Sequence, residues 1–330
     1  MSNNEKIAGF VGKKALRLTS LLIVVCFASF MLIQCSPIDP VRAYIGEMPV
    51  TAEHKAKLEA YWGVNTPPQD KFLNWAGDIL KGDFGTSLIY RIPVIDVIKE
   101  RFTASLVLMG VSWLFSGILG FVLGIIAGAK QGTWVDKAIK TYCYTLAAAP
   151  TFWLALVLLM VFSVYLGWFP IGLSVPIGVT ANDVTFFDWF KRLILPALTL
   201  SLLDIAKITM FTREKLIEVL SSDYVLFAKA RGEKGLNLVF RHGIRNVALP
   251  AITLQFLGFS ELFGGTVLVE QVFSYPGIGQ AAVAAGLRSD VPLLLGIVIF
   301  SALFVFFGNL IADIIYEFVD PRIKQQEASV

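Results

Sequence analysis

Charge is what this 330-residue chain has least of. Asp, Glu, Lys and Arg make up 16% of it, against about 25% in an ordinary soluble domain. The shortage is uneven: residues 18–38, 102–129, 141–182 and 291–312 carry no such residue, and 193–211 and 246–269 are broken only by isolated charges. A bilayer crossing needs about 20 mostly apolar residues. These stretches therefore predict an all-α polytopic membrane protein with six transmembrane helices and exclude a soluble enzyme with an ordinary core. With 56% hydrophobic residues and a mean hydropathy of +0.69, disorder, a collagen-like fibre and a disulfide-stapled secreted domain are excluded as well.

Cysteine and histidine are also scarce. Cys26, Cys35 and Cys143 are too scattered for a disulfide framework, and no CxxC spacing suggests zinc; they read as small hydrophobes in apolar surroundings. No Gly-x-Ser-x-Gly elbow, HExxH helix or paired-carboxylate cleft is present, so no catalytic residue and no metal site is expected. A phosphate-cradling loop needs Gly-Lys-Ser or Gly-Lys-Thr, and the nearest approach, GFVGKK at Gly9–Lys14, has Lys14 in place of the hydroxyl. Beside an apolar run it reads as a juxtamembrane basic patch. A net charge of +3 without an aromatic-interleaved basic groove excludes nucleic acid as a partner.

The basic residues that are present set the orientation. The apolar run Leu18–Ile33 follows Lys13, Lys14 and Arg17 as a signal peptide would, and Cys35 resembles a lipoprotein cleavage point, but Gln34 stands where a small residue is needed. With five more spans following, an uncleaved first span is expected. Lys and Arg in short loops favour the cytoplasm. One side collects sixteen of them, from the N-terminus, the 130–140 connection, the segment Arg213–Arg245 and the C-terminus; the other side holds Lys191, Arg192 and Arg288. Both termini are therefore expected in the cytoplasm, and His54 and His242, the only histidines, on opposite faces of the membrane.

This divides the chain into a cytoplasmic N-terminus with the first span (1–34), an extracytoplasmic cap (35–101), and a five-helix core (102–330) with a cytoplasmic loop at 212–246. Within the cap, Lys55–Tyr61 reads as a short amphipathic helix ended by Gly63, Pro67 and Pro68, with Tyr61, Trp62, Phe72 and Trp75 to fold upon. Gly167–Gly178 reads as an external turn.

Three places carry residues of functional interest. In the cytoplasmic loop, Tyr224, Phe227 and Ala228 fall at i, i+3 and i+4, giving a helix with an aromatic and small-residue face. Ala228, Ala230 and Gly232 leave room for another surface to approach. The same helix packing on its own bundle is the alternative. After the fifth span, Tyr275-Pro276-Gly277 fits a type II turn, with Pro fixing φ and Gly accepting positive φ. Inside the spans, Asp204 and Lys207 at i, i+3 can pair on one helix face. Glu261 has no opposite charge within a helical turn. Asp204 and Lys207 read either as a structural pair or as part of a translocation pathway. Glu261 is expected to line that pathway and to favour cargo with a positive group.

The motifs resemble those of binding-protein-dependent ABC importer permeases, specifically the branch that imports dipeptides, oligopeptides, nickel and opines. The similarity runs through DYVLFAKARG (Asp223–Gly232), RHGIRN (Arg241–Asn246) and Leu249-Pro250, which resemble the cytoplasmic coupling loop. It extends to GDFGTS (Gly82–Ser87), EQVFSYPGIG (Glu270–Gly279) and DPR (Asp320–Arg322). Leu226 stands where the wider superfamily has the acidic residue of its EAA motif. The resemblance implies an inner-membrane protein that pairs with a second homologous permease, two cytoplasmic ATPases carrying ATP and magnesium, and an extracytoplasmic substrate-binding protein, with no cofactor of its own. It implies ATPase coupling through Tyr224, Phe227, Ala228, Ala230, Arg231 and Gly232, and a contact with the binding protein, or closure of the mouth, at Tyr275–Gly277; a plain inter-helix turn is the alternative there. Di- or oligopeptides are the expected cargo, with nickel, a metal chelate or an opine as the alternative. A secondary transporter needs no ATPase and often shows a half-chain repeat, and none is visible.

Overall fold

A computed structural model describes residues 3–34, 66–172 and 185–319, with isolated positions at 45, 51–53, 56 and 57. Cys35, His54, the expected helix Lys55–Tyr61 apart from residues 56 and 57, the end of the 167–178 turn and Asp320–Arg322 lie outside the described residues. Among those described, the chain is helical nearly throughout, and the one extended pairing is an isolated bridge between Thr86 and Pro93. The helices are α1 (Asn3–Gln34), α2 (Pro68–Leu80), α3 (Val94–Ala129), α4 (Trp134–Ala148), α5 (Thr151–Tyr165), α6 (Phe186–Leu220), α7 (Asp223–Ala230), α8 (Leu236–Leu257), α9 (Phe259–Val272), α10 (Ile278–Leu287) and α11 (Val291–Val319).

By length and apolarity α3, α6 and α11 each suffice to cross a membrane. Two further pairs suffice only if each bent pair counts as one span: α4 with α5, bent by 108°, and α8 with α9, bent by 50°. The apolar part of α1 with described side chains, Leu16–Met31, is shorter. The bend between α4 and α5 falls inside 141–182, where one crossing followed by a turn is expected, and breaks the helix at Ala149. Its cause is Pro150, whose ring disfavours helical backbone at the preceding residue; Ala149 is accordingly extended, at φ −91° and ψ 132°. The second half of α5, Leu159–Tyr165, is π-helical, and α8 carries another π segment at Val239–Ile244.

The chain divides into two units. The first comprises Met1–Thr103 and Gln280–Phe307. In it Phe30 is buried against Phe72 and Trp75, with ring centroids 5.2 and 6.0 Å away, so α2 packs on α1. The GDFGTS segment is pinned by Asp290: its Oδ2 accepts from Ser87 Oγ at 2.5 Å and Ile89 N at 3.0 Å, while its Oδ1 accepts from Leu293 N at 3.2 Å as the N-cap of α11. Ser87 and Asp290 are both fully buried.

The second unit comprises Ala104–Gly279 and Gly308–Val330. Its centre is α6, 61% buried along its apolar window against 28% for α3, and it packs on α4, α5, α8 and α9. The two helices α3 and α6 meet backbone to side chain along Gly120, Gly124 and Gly128. A Cβ at these positions would lie 2.8 Å from Ile208 Cβ, 2.5 Å from Thr212 Cβ and 2.9 Å from Leu216 Cδ2. Small residues spaced by four permit this approach where lipid offers no hydrophobic drive to association, and Thr209 Oγ1 uses it to donate to the Gly120 carbonyl at 3.2 Å.

Candidate functional site

The segment between α6 and α8 forms its own small core. Val225, Ala228 and Leu238 are buried together against Val219 and Leu220, so Ala228 faces inward and is not part of an outward small-residue face. What α7 does present is Tyr224, Leu226 and Phe227, the last 65% exposed, joined by Leu236 and Phe240 from α8. Leu226 thus extends an apolar surface. Ala230 and Arg231 are exposed.

The end of α7 is closed by Gly232. Its φ is +96°, its N–H bonds to Lys229 O at 3.0 Å, and Glu233 N reaches back to Ala228 O at 3.2 Å. Those paired bonds are the Schellman arrangement, which needs a left-handed residue after the helix. A Cβ at Gly232 would meet nothing within 4 Å. The glycine is therefore required by backbone conformation, and the space beside it stands open.

RHGIRN folds back to hold this turn. His242 Nε2 donates to Glu233 Oε2 at 3.0 Å, and Arg241 lies 3.5 Å from Glu233 Oε1. Asn246 Nδ2 donates to Tyr224 Oη at 3.2 Å and to His242 O at 2.7 Å. Beneath, Gly243 lets the π segment reach α6, since a Cβ there would sit 2.6 Å from Leu216 Cδ1. At the foot of α6, Arg213 makes a two-bond ion pair with Asp136 of α4, Nε to Oδ1 at 2.6 Å and Nη2 to Oδ2 at 2.9 Å, and Gly132 N donates to the same carboxylate at 2.9 Å. Asp136 is 1% exposed. A pair this buried is costly to break from one side only, by about 3–5 kcal/mol. Sequence reasoning counted Arg213 as a loop charge and passed over Asp136, although an acid among Lys130, Lys137 and Lys140 was a signal.

The turn after α9, expected to lie outside, differs from its expected form. Gly277 does not take positive φ, and its N–H bonds to Tyr275 O at 2.8 Å, a three-residue turn about Pro276, so the type II assignment fails. The positive φ belongs to Ser274, at 49°. The organiser is Glu270, fully buried, whose Oε1 accepts from Ser105 Oγ at 2.5 Å; that hydroxyl in turn accepts from Ile278 N at 2.8 Å. A Cβ on Gly277 would overlap the Glu270 carboxyl group, and one on Gly279 would fall 2.6 Å from Val267 Cα. Both glycines are required by space. Tyr275 is buried, donates to Ala104 O at 3.3 Å, and has its hydroxyl pushed up to about 12, first by burial and then by Glu270. Of the turn, only Ser274 is fully exposed, with Pro276 half-buried.

In the spans, Glu261 does have a partner. Lys207 Nζ donates to Glu261 Oε2 at 2.7 Å, across from α6 to α9. Lys207 is therefore not engaged by Asp204, and Asp204, half-buried, has no hydrogen-bond or ion-pair partner among the described residues. The local i, i+3 rule misjudged this because Gly258, at the α8–α9 break, brings Glu261 to α6 from 54 residues away. The two side chains remain 45% and 69% exposed within this chain. A charge facing hydrocarbon costs about 2.5–3.5 kcal/mol on insertion scales, and a salt-bridged pair is correspondingly favoured beside protein or water.

The sequence profile described as binding-protein-dependent transport system inner membrane component matches residues 120–325. The chain is 36% identical over 321 residues to the oligopeptide transport system permease protein AppB of Bacillus subtilis (strain 168), covering 96% of this chain and 100% of that protein. It is 32% identical to the di/tripeptide transport system permease protein DppB of Pseudomonas aeruginosa (strain UCBPP-PA14), over 96% and 99% of the two chains. It is also 32% identical to the glutathione transport system permease protein GsiC of Salmonella typhi, over 96% and 98%.

Proposed function

The chain belongs to the family of binding-protein-dependent transport system inner membrane components, and from that premise we propose that it is one permease subunit of an ATP-driven importer of di- or oligopeptides. The relatives named for oligopeptide, di/tripeptide and glutathione transport support the peptide reading over nickel, a metal chelate or an opine. In this reading the chain is non-catalytic and crosses the inner membrane six times. The first crossing falls in 1–34, an extracytoplasmic cap occupies 35–101, and five more crossings make up the core 102–330; both termini lie in the cytoplasm. A second homologous permease completes the pore. Two cytoplasmic ATPases supply ATP and magnesium chemistry, and an extracytoplasmic binding protein delivers the cargo.

The observation that carries the proposal is the exposed apolar surface of α7 and the start of α8. Tyr224, Leu226, Phe227, Leu236 and Phe240 stand out from a loop whose own core, cap and side-chain bonds are complete. An apolar patch on a rigid, strongly basic cytoplasmic loop is a surface prepared for a partner. The ATPase docks there, its closure moves α7, and Arg213–Asp136 transmits the movement to α6 and α4. At the opposite face, Ser274 and Pro276 meet the binding protein while Glu270 keeps the turn rigid.

Two measurements test this. Vesicles holding both permeases and both ATPases should import labelled dialanine only with ATP and the binding protein; import without ATP contradicts the reading. After replacement of Cys26, Cys35 and Cys143, a cysteine at Asn237 should be labelled by an impermeant thiol reagent from the cytoplasmic side alone.

A further inference from the structure

Asp204 and Lys207 of α6 line one small cavity with Leu254, Gln255 and Gly258 at the α8–α9 break. The cavity holds about 10 Å³, room for about one water, so it is too small for cargo in this conformation. Glu261, just beyond the break, closes on Lys207 at 2.7 Å. Gln255 adds a second signal. Its amide nitrogen is spent on Trp113 O at 2.6 Å and Ser116 Oγ at 3.1 Å, yet its Oε1 is buried and accepts nothing, in a residue only 9% exposed. A buried acceptor without a donor is retained at a cost. Among the described residues, the cluster therefore combines a carboxylate and a carbonyl that accept no hydrogen bond with a cation whose one hydrogen-bonded partner is a second carboxylate.

A site for a simple cation has no use for Lys207, and a site for an anion has none for Asp204 and Glu261. Cargo that carries both signs uses all of them. Resting on the permease reading, we propose that Asp204, Gln255, Lys207 and Glu261 form a waist of the translocation pathway that recognises zwitterionic cargo. The cargo's ammonium is taken by Asp204, Glu261 and the Gln255 carbonyl, and its carboxylate by Lys207. Without cargo, Lys207 and Glu261 satisfy one another and the waist is closed. This narrows the expected preference for cargo with a positive group, which assumed that Glu261 had no cation of its own.

The test is import by vesicles holding the whole complex, with labelled dialanine, its N-acetyl form and its C-terminal amide, each at a concentration that saturates the binding protein. Asp204→Asn and Glu261→Gln should slow dialanine and the amide about tenfold, as expected for a lost charged contact, and spare the N-acetyl form. Lys207→Gln should slow dialanine and the N-acetyl form similarly and spare the amide. Co-purification of both ATPases with each variant reports assembly separately. Equal slowing of all three cargoes by every variant, with recovery in Lys207→Glu combined with Glu261→Lys, reveals a structural ion pair and overturns the waist. Unchanged import in the variants overturns it too, while leaving the importer reading intact. Wild-type vesicles that import none of the cargoes overturn the peptide reading itself and the waist with it.

Discussion

The loop at Tyr224–Gly235 ends a helix with glycine and the turn at Glu270–Gly279 leads into one with glycine, for opposite reasons. Gly232 has open space around it and a φ of +96° that an L side chain resists; Gly277 has an ordinary φ and a buried carboxyl group where its Cβ would stand. The first loop is internally complete and presents its aromatic residues outward. The second buries Tyr275 and its organising acid and leaves little but Ser274 exposed. One presents an apolar surface, the other is a corner closed around a buried acid. Glycine in a motif does not by itself report which.

Substitutions can break that contrast. The largest effect is expected for Gly277→Ala, which drives a methyl into Glu270: overpacking of about 1–3 kcal/mol, plus displacement of a buried acid, should total about 3 kcal/mol or more in denaturant unfolding of the detergent-solubilised protein. Combining it with Glu270→Ala should cost less than the sum of the two single changes, because the clash has been removed. Next comes Glu270→Gln, which keeps the shape but gives up a charge-assisted bond beside the start of α10, at about 1–2 kcal/mol. Gly232→Ala should cost about 1 kcal/mol through its φ alone, and Gly232→Asn less, since Asn tolerates the left-handed region. If a bulky residue at Gly232 harms import no more than alanine does, the cap and not the space is what matters there. The smallest effect on stability belongs to Phe227→Ala, within about 0.5 kcal/mol, while peptide import should fall several-fold with basal ATP hydrolysis retained.

The features legible in the sequence were those set by local pattern. Charge-free windows gave the long helices, and DYVLFAKARG with RHGIRN gave the loop that the structure shows as a capped helix. What stayed hidden depended on distant partners. Lys207 was matched to Asp204 because periodicity sees one helix, whereas its partner Glu261 is supplied by the α8–α9 break. Ser105, which anchors Glu270, is 165 residues away in the chain, and Asp136 is 77 from Arg213. Pro150 was the exception: its disfavour of helix at Ala149 is a local rule, and the bend it makes was available to a reading that weighed apolarity less.

Side-specific contact tests the account most directly. A photo-reactive phenylalanine analogue is placed at Phe227 in one preparation and at Ser274 in another, in vesicles holding the complete transporter and its binding protein. The account predicts an adduct of ATPase mass from Phe227 and an adduct of binding-protein mass from Ser274. Capture of the binding protein at Phe227, or of an ATPase at Ser274, would contradict it.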